Sequence, residues 1–70
     1  MGAKWEYLIL DYGLNRVRAV NGYEIPNWQR LPVPLADYLN KLGQDGWEMT
    51  SAITADDYNF GRLFFKRPMP

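Results

Sequence analysis

Apolar positions alternate with polar ones near both ends of the chain and recur at helical spacing in between. Lys4 to Leu10 puts Trp5, Tyr7 and Ile9 on one face and Glu6, Leu8 and Leu10 on the other, which predicts a central strand because both faces are apolar at its distal end. Asp11-Tyr12-Gly13-Leu14-Asn15 carries turn chemistry, and Arg16 to Val20 resumes the extended pattern as a second strand. Asn21-Gly22 favours a two-residue type I′ turn, whose central positions both need positive φ, and so folds back a short third strand from Tyr23 to Ile25.

Pro26, Pro32 and Pro34 keep Asn27 to Val33 out of regular helix and leave it a loop or an edge, with Trp28 inside it. From Leu35 the period changes: Leu35, Tyr38, Leu39 and Leu42 fall at i, i+3, i+4 and i+7 and share one helical face. Pro34 suits the first helical position, Asp37 the positive first turn and Lys41 the last, and Gly43 is expected to take the left-handed conformation that ends the helix. Gln44-Asp45-Gly46 turns the chain into a half-buried strand, Trp47 to Thr54, with Ser51 as a small inward-facing residue. Ala55 to Gly61 reads as a polar loop and Arg62 to Lys66 as a last strand stopped by Pro68. The order β-β-(β)-α-β-β predicts one α+β domain over residues 1–70, a single helix packed on one face of a four- to five-stranded antiparallel sheet.

Three segments carry a resemblance. Lys4-Trp5-Glu6-Tyr7 opens the chain, Leu39-Asn40-Lys41-Leu42-Gly43-Gln44-Asp45-Gly46-Trp47-Glu48 forms its middle, and Phe64-Phe65-Lys66-Arg67-Pro68 closes it. Together they resemble the short prokaryotic domain-of-unknown-function family 4177, over nearly the whole chain. The resemblance implies a small α+β domain and brings no activity with it. Asp11 to Pro34 is longer than that family's minimal pattern, so what is particular to this protein is expected there.

Composition narrows the chemistry. The 70 residues contain no Cys and no His, which removes disulfides, the two best zinc ligands and the usual Ser-His and Cys-His pairs. Eight basic and eight acidic side chains cancel, so no global field draws extended nucleic acid or an anionic membrane. The apolar runs are too short to span a bilayer and the first residues lack the apolar core of a signal peptide, which leads to the expectation of a cytoplasmic protein. A domain this small has a thin core, and with disulfides and zinc excluded, oligomerisation is the remaining means of reinforcing it.

No residue is assigned a catalytic role, and no metal or cofactor is expected. Ser51 lacks the setting of a nucleophile, Asp56-Asp57 reads as a solvated turn, and Asp45 with Glu48 reads as turn and surface rather than a carboxylate pair. Trp5 and Trp47 are expected to cap the core against the helix, and Trp28 to sit in a loop as an interface anchor or a packing residue. Rings at 16% of the sequence exceed what so small a core encloses. Leu8, Leu10, Val20, Ala52 and Phe64 are expected on the sheet face opposite the helix, where with Trp28 they would form a homo-oligomeric interface, in the simplest case a dimer, that Leu8→Glu should dissociate; an edge strand is the other expected route of assembly. The alternative is a nucleotide-like anion held between subunits by Arg16, Arg18 and Arg62 with Tyr12, Tyr58 and Phe60, since arginine forks suit phosphate and rings suit bases. The leading expectation is a non-enzymatic interaction module.

Overall fold

A computed structural model describes residues 4–30, 33–55 and 59–70. The elements are β1 (Trp5–Gly13), β2 (Arg16–Val20), β3 (Tyr23–Glu24), α1 (Leu35–Gln44), β4 (Glu48–Thr54) and β5 (Phe60–Pro68). The strands form one antiparallel sheet in the order β3-β2-β1-β5-β4, with α1 on one face, so the expected α+β architecture is the observed one. The long central pair, β1 with β5, runs in unbroken register from Trp5 opposite Pro68 to Gly13 opposite Phe60.

β1 ends three residues later than its sequence suggests, because the turn is made by Leu14 and Asn15 alone, at φ 51° and 62°. Asp11 and Tyr12 stay in the ladder at an irregular step where Asp11 faces Ala19 and Tyr12 faces Val17, so Arg18 is the extra residue of a β-bulge. The next turn is the expected one, with Asn21 and Gly22 at φ 52° and 84°. The Asn21 side-chain carbonyl also accepts from the Ile9 amide at 2.9 Å, while the Asn21 amide donates to the Ile9 carbonyl at 2.8 Å.

The core lies between α1 and the face of the sheet carrying Leu8, Leu10, Val17, Leu63 and Phe65, which bury with Leu42; Tyr12, Val20, Leu35, Tyr38, Leu39 and Trp47 pack around them. This corrects the expected facing of the strands. Leu8, Leu10 and Val20 belong under the helix, because the helix covers the face of β1 that is apolar without interruption from Leu8 to Leu10 and Tyr12, and Ala52, opposite the core residue Leu63, lies on that same face of the sheet. Leu8→Glu would therefore bury a charge in the core and unfold the domain rather than dissociate it. Trp5 points to the opposite face and is 39% exposed, so only Trp47 of the two caps the core. Phe64 does lie on the uncovered face, directly across from Ile9.

The end of the helix differs as well. Gly43 remains helical, and Gly46 takes the positive φ of 89°. The Trp47 amide donates to the Leu42 carbonyl at 2.9 Å and the Gly46 amide to Gly43 at 3.1 Å, the paired bonds of a Schellman cap, with Trp47 packed against the core that contains Leu42. β4 is not half-buried: all seven of its residues are exposed, since the helix reaches across β1 and β2 and leaves the β4 edge uncovered.

Candidate functional site

Strand alternation assembles the uncovered face. From β1 it receives Trp5, Tyr7, Ile9 and Asp11, from β5 Phe60, Arg62, Phe64 and Lys66, and from β4 Ser51 and Ile53, each set by its cross-strand partner. Tyr7 is 68% exposed and Ile53 58%, large values for apolar side chains in the middle of strands. Two of the charges among them form an ion pair. Arg62 Nε donates to Asp11 Oδ1 at 2.6 Å, and that hydrogen bond, with the carboxylate charge, holds the guanidinium above its ordinary pKa and so charged at any working pH. Lys66 stands opposite Glu48 and lies 4.4 Å from the centre of the Trp5 ring. The result is an apolar strip, Trp5-Tyr7-Ile9-Phe64-Ile53, edged by the Arg62–Asp11 pair at one end and by Lys66 with Glu48 at the other. Ser51, expected to face inward, is exposed on this same face.

One end of the face is already occupied. Trp28, expected to be an exposed anchor or loop packing, is 9% exposed and meets Phe60 edge to face at 6.4 Å between ring centres. The Arg18 guanidinium lies 5.4 Å from the Trp28 ring and 5.2 Å from the Phe60 ring. Arg16 Nη1 donates to the Gln29 carbonyl at 2.7 Å. Thus the two arginines of β2 fasten the turn at residues 27–30 to the sheet. Phe60 can lie flat here because its cross-strand neighbour is Gly13, where a Cβ would come within 2.6 Å of the ring. Tyr12 uses Gly61 in the same way on the helix side.

Of the expected anion-binding residues, these placements bring Arg18 and Phe60 together and set the other described ones apart from them. Arg62 is paired with Asp11, Arg16 and Arg18 hold the Trp28 turn, Tyr12 packs against the core, and Tyr58 lies outside the described residues, as do Pro32, Asp56 and Asp57. A cavity of about 200 Å³ opens beside the turn, lined by Glu24, Asn27, Trp28, Gln29 and Arg30; Arg16, Arg18, Arg62, Tyr12 and Phe60 do not line it. Arg18 Nε is buried without a hydrogen-bond partner among the described residues. Among those residues no group of three acidic side chains gathers to hold a metal ion.

A second cluster went unread in the sequence although its residues were noticed. Arg67 pairs with Glu6, donates from Nη1 to the Asp45 carbonyl at 2.9 Å, and lies 4.3 Å from the centre of the Trp47 ring. The opening Trp-Glu-Tyr, the Gly-Trp-Glu corner and the closing Lys-Arg-Pro therefore meet at one guanidinium. It stands on β5 and its partners come from β1 and the α1–β4 corner, which makes it a latch between the helix end and the sheet. The signal was the company the three motifs keep; their separation of 61 residues between Glu6 and Arg67 hid the contact.

The fold and these sites define a one-helix, five-stranded antiparallel α+β domain with an uncovered sheet face. Comparison with family models, curated proteins and solved structures finds no match to this chain. No helix among the described residues is long and apolar enough to cross a membrane.

Proposed function

We propose that the protein is a non-enzymatic, cytoplasmic interaction module that self-associates through the uncovered sheet face. The observation that carries this is the strip Trp5-Tyr7-Ile9-Phe64-Ile53, apolar, with Ile9 directly across from Phe64 and Ile53 diagonal to it, and left bare by the only helix among the described residues. Area supports it. The chain exposes 5288 Å². A folded monomer of its 8.2 kDa mass is expected to expose about 4,500 Å², so the excess is about 750 Å², close to the roughly 800 Å² that each partner contributes to a standard interface. Arg62 is already paired with Asp11 within the face, which lowers the cost of covering that end of the strip. Membership in family 4177 belongs to the same proposal, supported by the convergence of its three motif segments on Arg67.

Tyr7→Glu tests the face directly, because Tyr7 points to solvent and its loss leaves the core intact. The variant is expected to melt within a few degrees of the parent and to have a smaller mass in solution by sedimentation; a Tyr7→Glu protein of unchanged oligomeric mass removes the proposal.

The second reading, a nucleotide-like anion held at a subunit boundary, has one observation in its favour: the unpartnered Nε of Arg18 between two rings. An anion bound there raises apparent stability by mass action. Thermal shift with millimolar mononucleotides reads it, and a melting temperature that no nucleotide raises counts against it.

A further inference from the structure

The two edges of the sheet are unlike. On the β2 side the edge is blunted: β3 is two residues long and followed by Pro26, and where it ends Val33 and Pro34 take over, the Val17 amide donating to the Val33 carbonyl at 3.0 Å and Arg16 bridging to Pro34. On the other side β4 is seven residues long, exposed on both faces, and uncharged and free of proline from Met49 to Thr54. A β-bulge at Thr50 interrupts its first half, and from Ser51 to Thr54 the ladder is regular and nothing on the described chain covers its outer edge. Such an edge is a template for another strand.

We propose that a second copy of this chain pairs there, β4 against β4, antiparallel about a two-fold axis at Ile53. The direction of the backbone groups fixes the register. The Ala55 amide donates inward to the Phe60 carbonyl at 3.0 Å, so by alternation Ile53 also points its amide and carbonyl toward β5, while Ala52 and Thr54 point theirs to the free edge. Centring on Ile53 sets Ala52 opposite the partner's Thr54 and Thr54 opposite the partner's Ala52. Each is then a hydrogen-bonded pair, about four bonds in all. Ile53 meets its own copy at the close, non-hydrogen-bonded position, where side chains touch best. Ser51 to Ala55 carry no charge, so the two-fold brings no like charges together.

The occupant is a second copy for two reasons. A foreign peptide added to an edge is selected by pockets for its alternate side chains, and β4, exposed along its whole length, has no walls to form them. A head-to-tail contact would need the β2-side edge, which is closed, so only the isologous pairing remains. The axis at Ile53 stands perpendicular to the sheet, so both helices fall on one side and both apolar strips join on the other. This rests on the self-association proposed above: covering the joined strips with another such pair closes a tetramer of D2 symmetry, helices outside and sheets inside.

Two reagents test the edge separately from the face. The chain has no Cys, so Ile53→Cys introduces one thiol. Its Cα lies about 4.5 Å from its copy across the axis, inside the span of a disulfide. Ala52→Cys places its two copies diagonally, about 7 Å or more apart and outside that span. Oxidation is expected to cross-link Ile53→Cys into a dimer and to leave Ala52→Cys single. Ala52→Pro removes only an outward-pointing amide, so it should fold, melt near the parent and turn tetramer into dimer. The edge pairing is overturned if Ile53→Cys yields no more cross-link than Ala52→Cys, or if Ala52→Pro leaves the parent's mass unchanged. If in that case Tyr7→Glu still lowers the mass, the open-face reading survives alone; an oligomer that Ala52→Pro dissociates and Tyr7→Glu does not keeps the edge and removes the face. A parent protein that is monomeric overturns both.

Discussion

Arg67 shows how much of this molecule depends on single side chains. It joins Glu6, the Asp45 carbonyl and the Trp47 ring, and a planar fork is needed to reach a carboxylate while stacking on an indole. Arg67→Ala is expected to cost about 1–2 kcal/mol in urea unfolding, and Arg67→Lys to restore little of it, since an ammonium cannot do both. Full restoration by lysine would show that charge alone matters there. Leu14 is the opposite case, a residue the fold tolerates rather than needs. It sits at φ 51° in the β1–β2 turn and is 46% exposed, so its side chain contributes little while its backbone is strained. Leu14→Gly should stabilise the domain by about 0.5–1 kcal/mol, the left-handed penalty removed less the entropy that glycine adds to the unfolded chain. The same residue explains a misplaced boundary: nothing about leucine announces positive φ, so the turn reads as starting at Asp11, whereas Asn21-Gly22 is read correctly.

Among the elements, the helix was legible because its period is clean, and β1 and β5 were legible as strands but not in their ends or their pairing: β5 begins at Phe60, which reads as loop, and runs through Pro68, which reads as a stop. Other errors fall where two residues compete for one role. Gly43 and Gly46 both suit a helix end; the structure gives it to Gly46, which lets Trp47 bond back to the Leu42 carbonyl and pack on the core. Gly43 is then a helical residue with open space where a Cβ would stand. Gly43→Ala should raise stability by about 0.5–1 kcal/mol, and Gly46→Ala should lower it by about 1 kcal/mol or more. Thermal melts of the pair decide it, and equal effects would contradict the cap. Facing was the harder problem. β1 is apolar on both sides, so alternation alone could not say whether Leu8 or Tyr7 meets the helix. Trp28 was misjudged for a related reason: its burial depends on Arg16 and Arg18, on a different strand, closing the turn over Phe60. The candidate interface accordingly kept Phe64 and moved from Leu8, Leu10 and Val20 to Trp5, Tyr7, Ile9 and Ile53.

At the scale of the whole molecule the core is thin. Two layers, 19 Å across in the shortest direction, enclose six clustered core residues, while one sheet face and the whole of β4 stay in solvent. Neither a disulfide nor zinc bound by Cys or His can supplement this core, because the chain has no Cys and no His. Covering the open face is the route the structure leaves for further stabilisation, and it makes stability depend on protein concentration. The melting temperature is expected to rise with concentration for the parent and to be independent of it for a variant, such as Tyr7→Glu joined with Ala52→Pro, in which both surfaces are blocked. The most direct test is native mass spectrometry of the parent protein at micromolar concentration. The account predicts a species at an integral multiple of the 8.2 kDa chain. A spectrum holding only the single chain would contradict it.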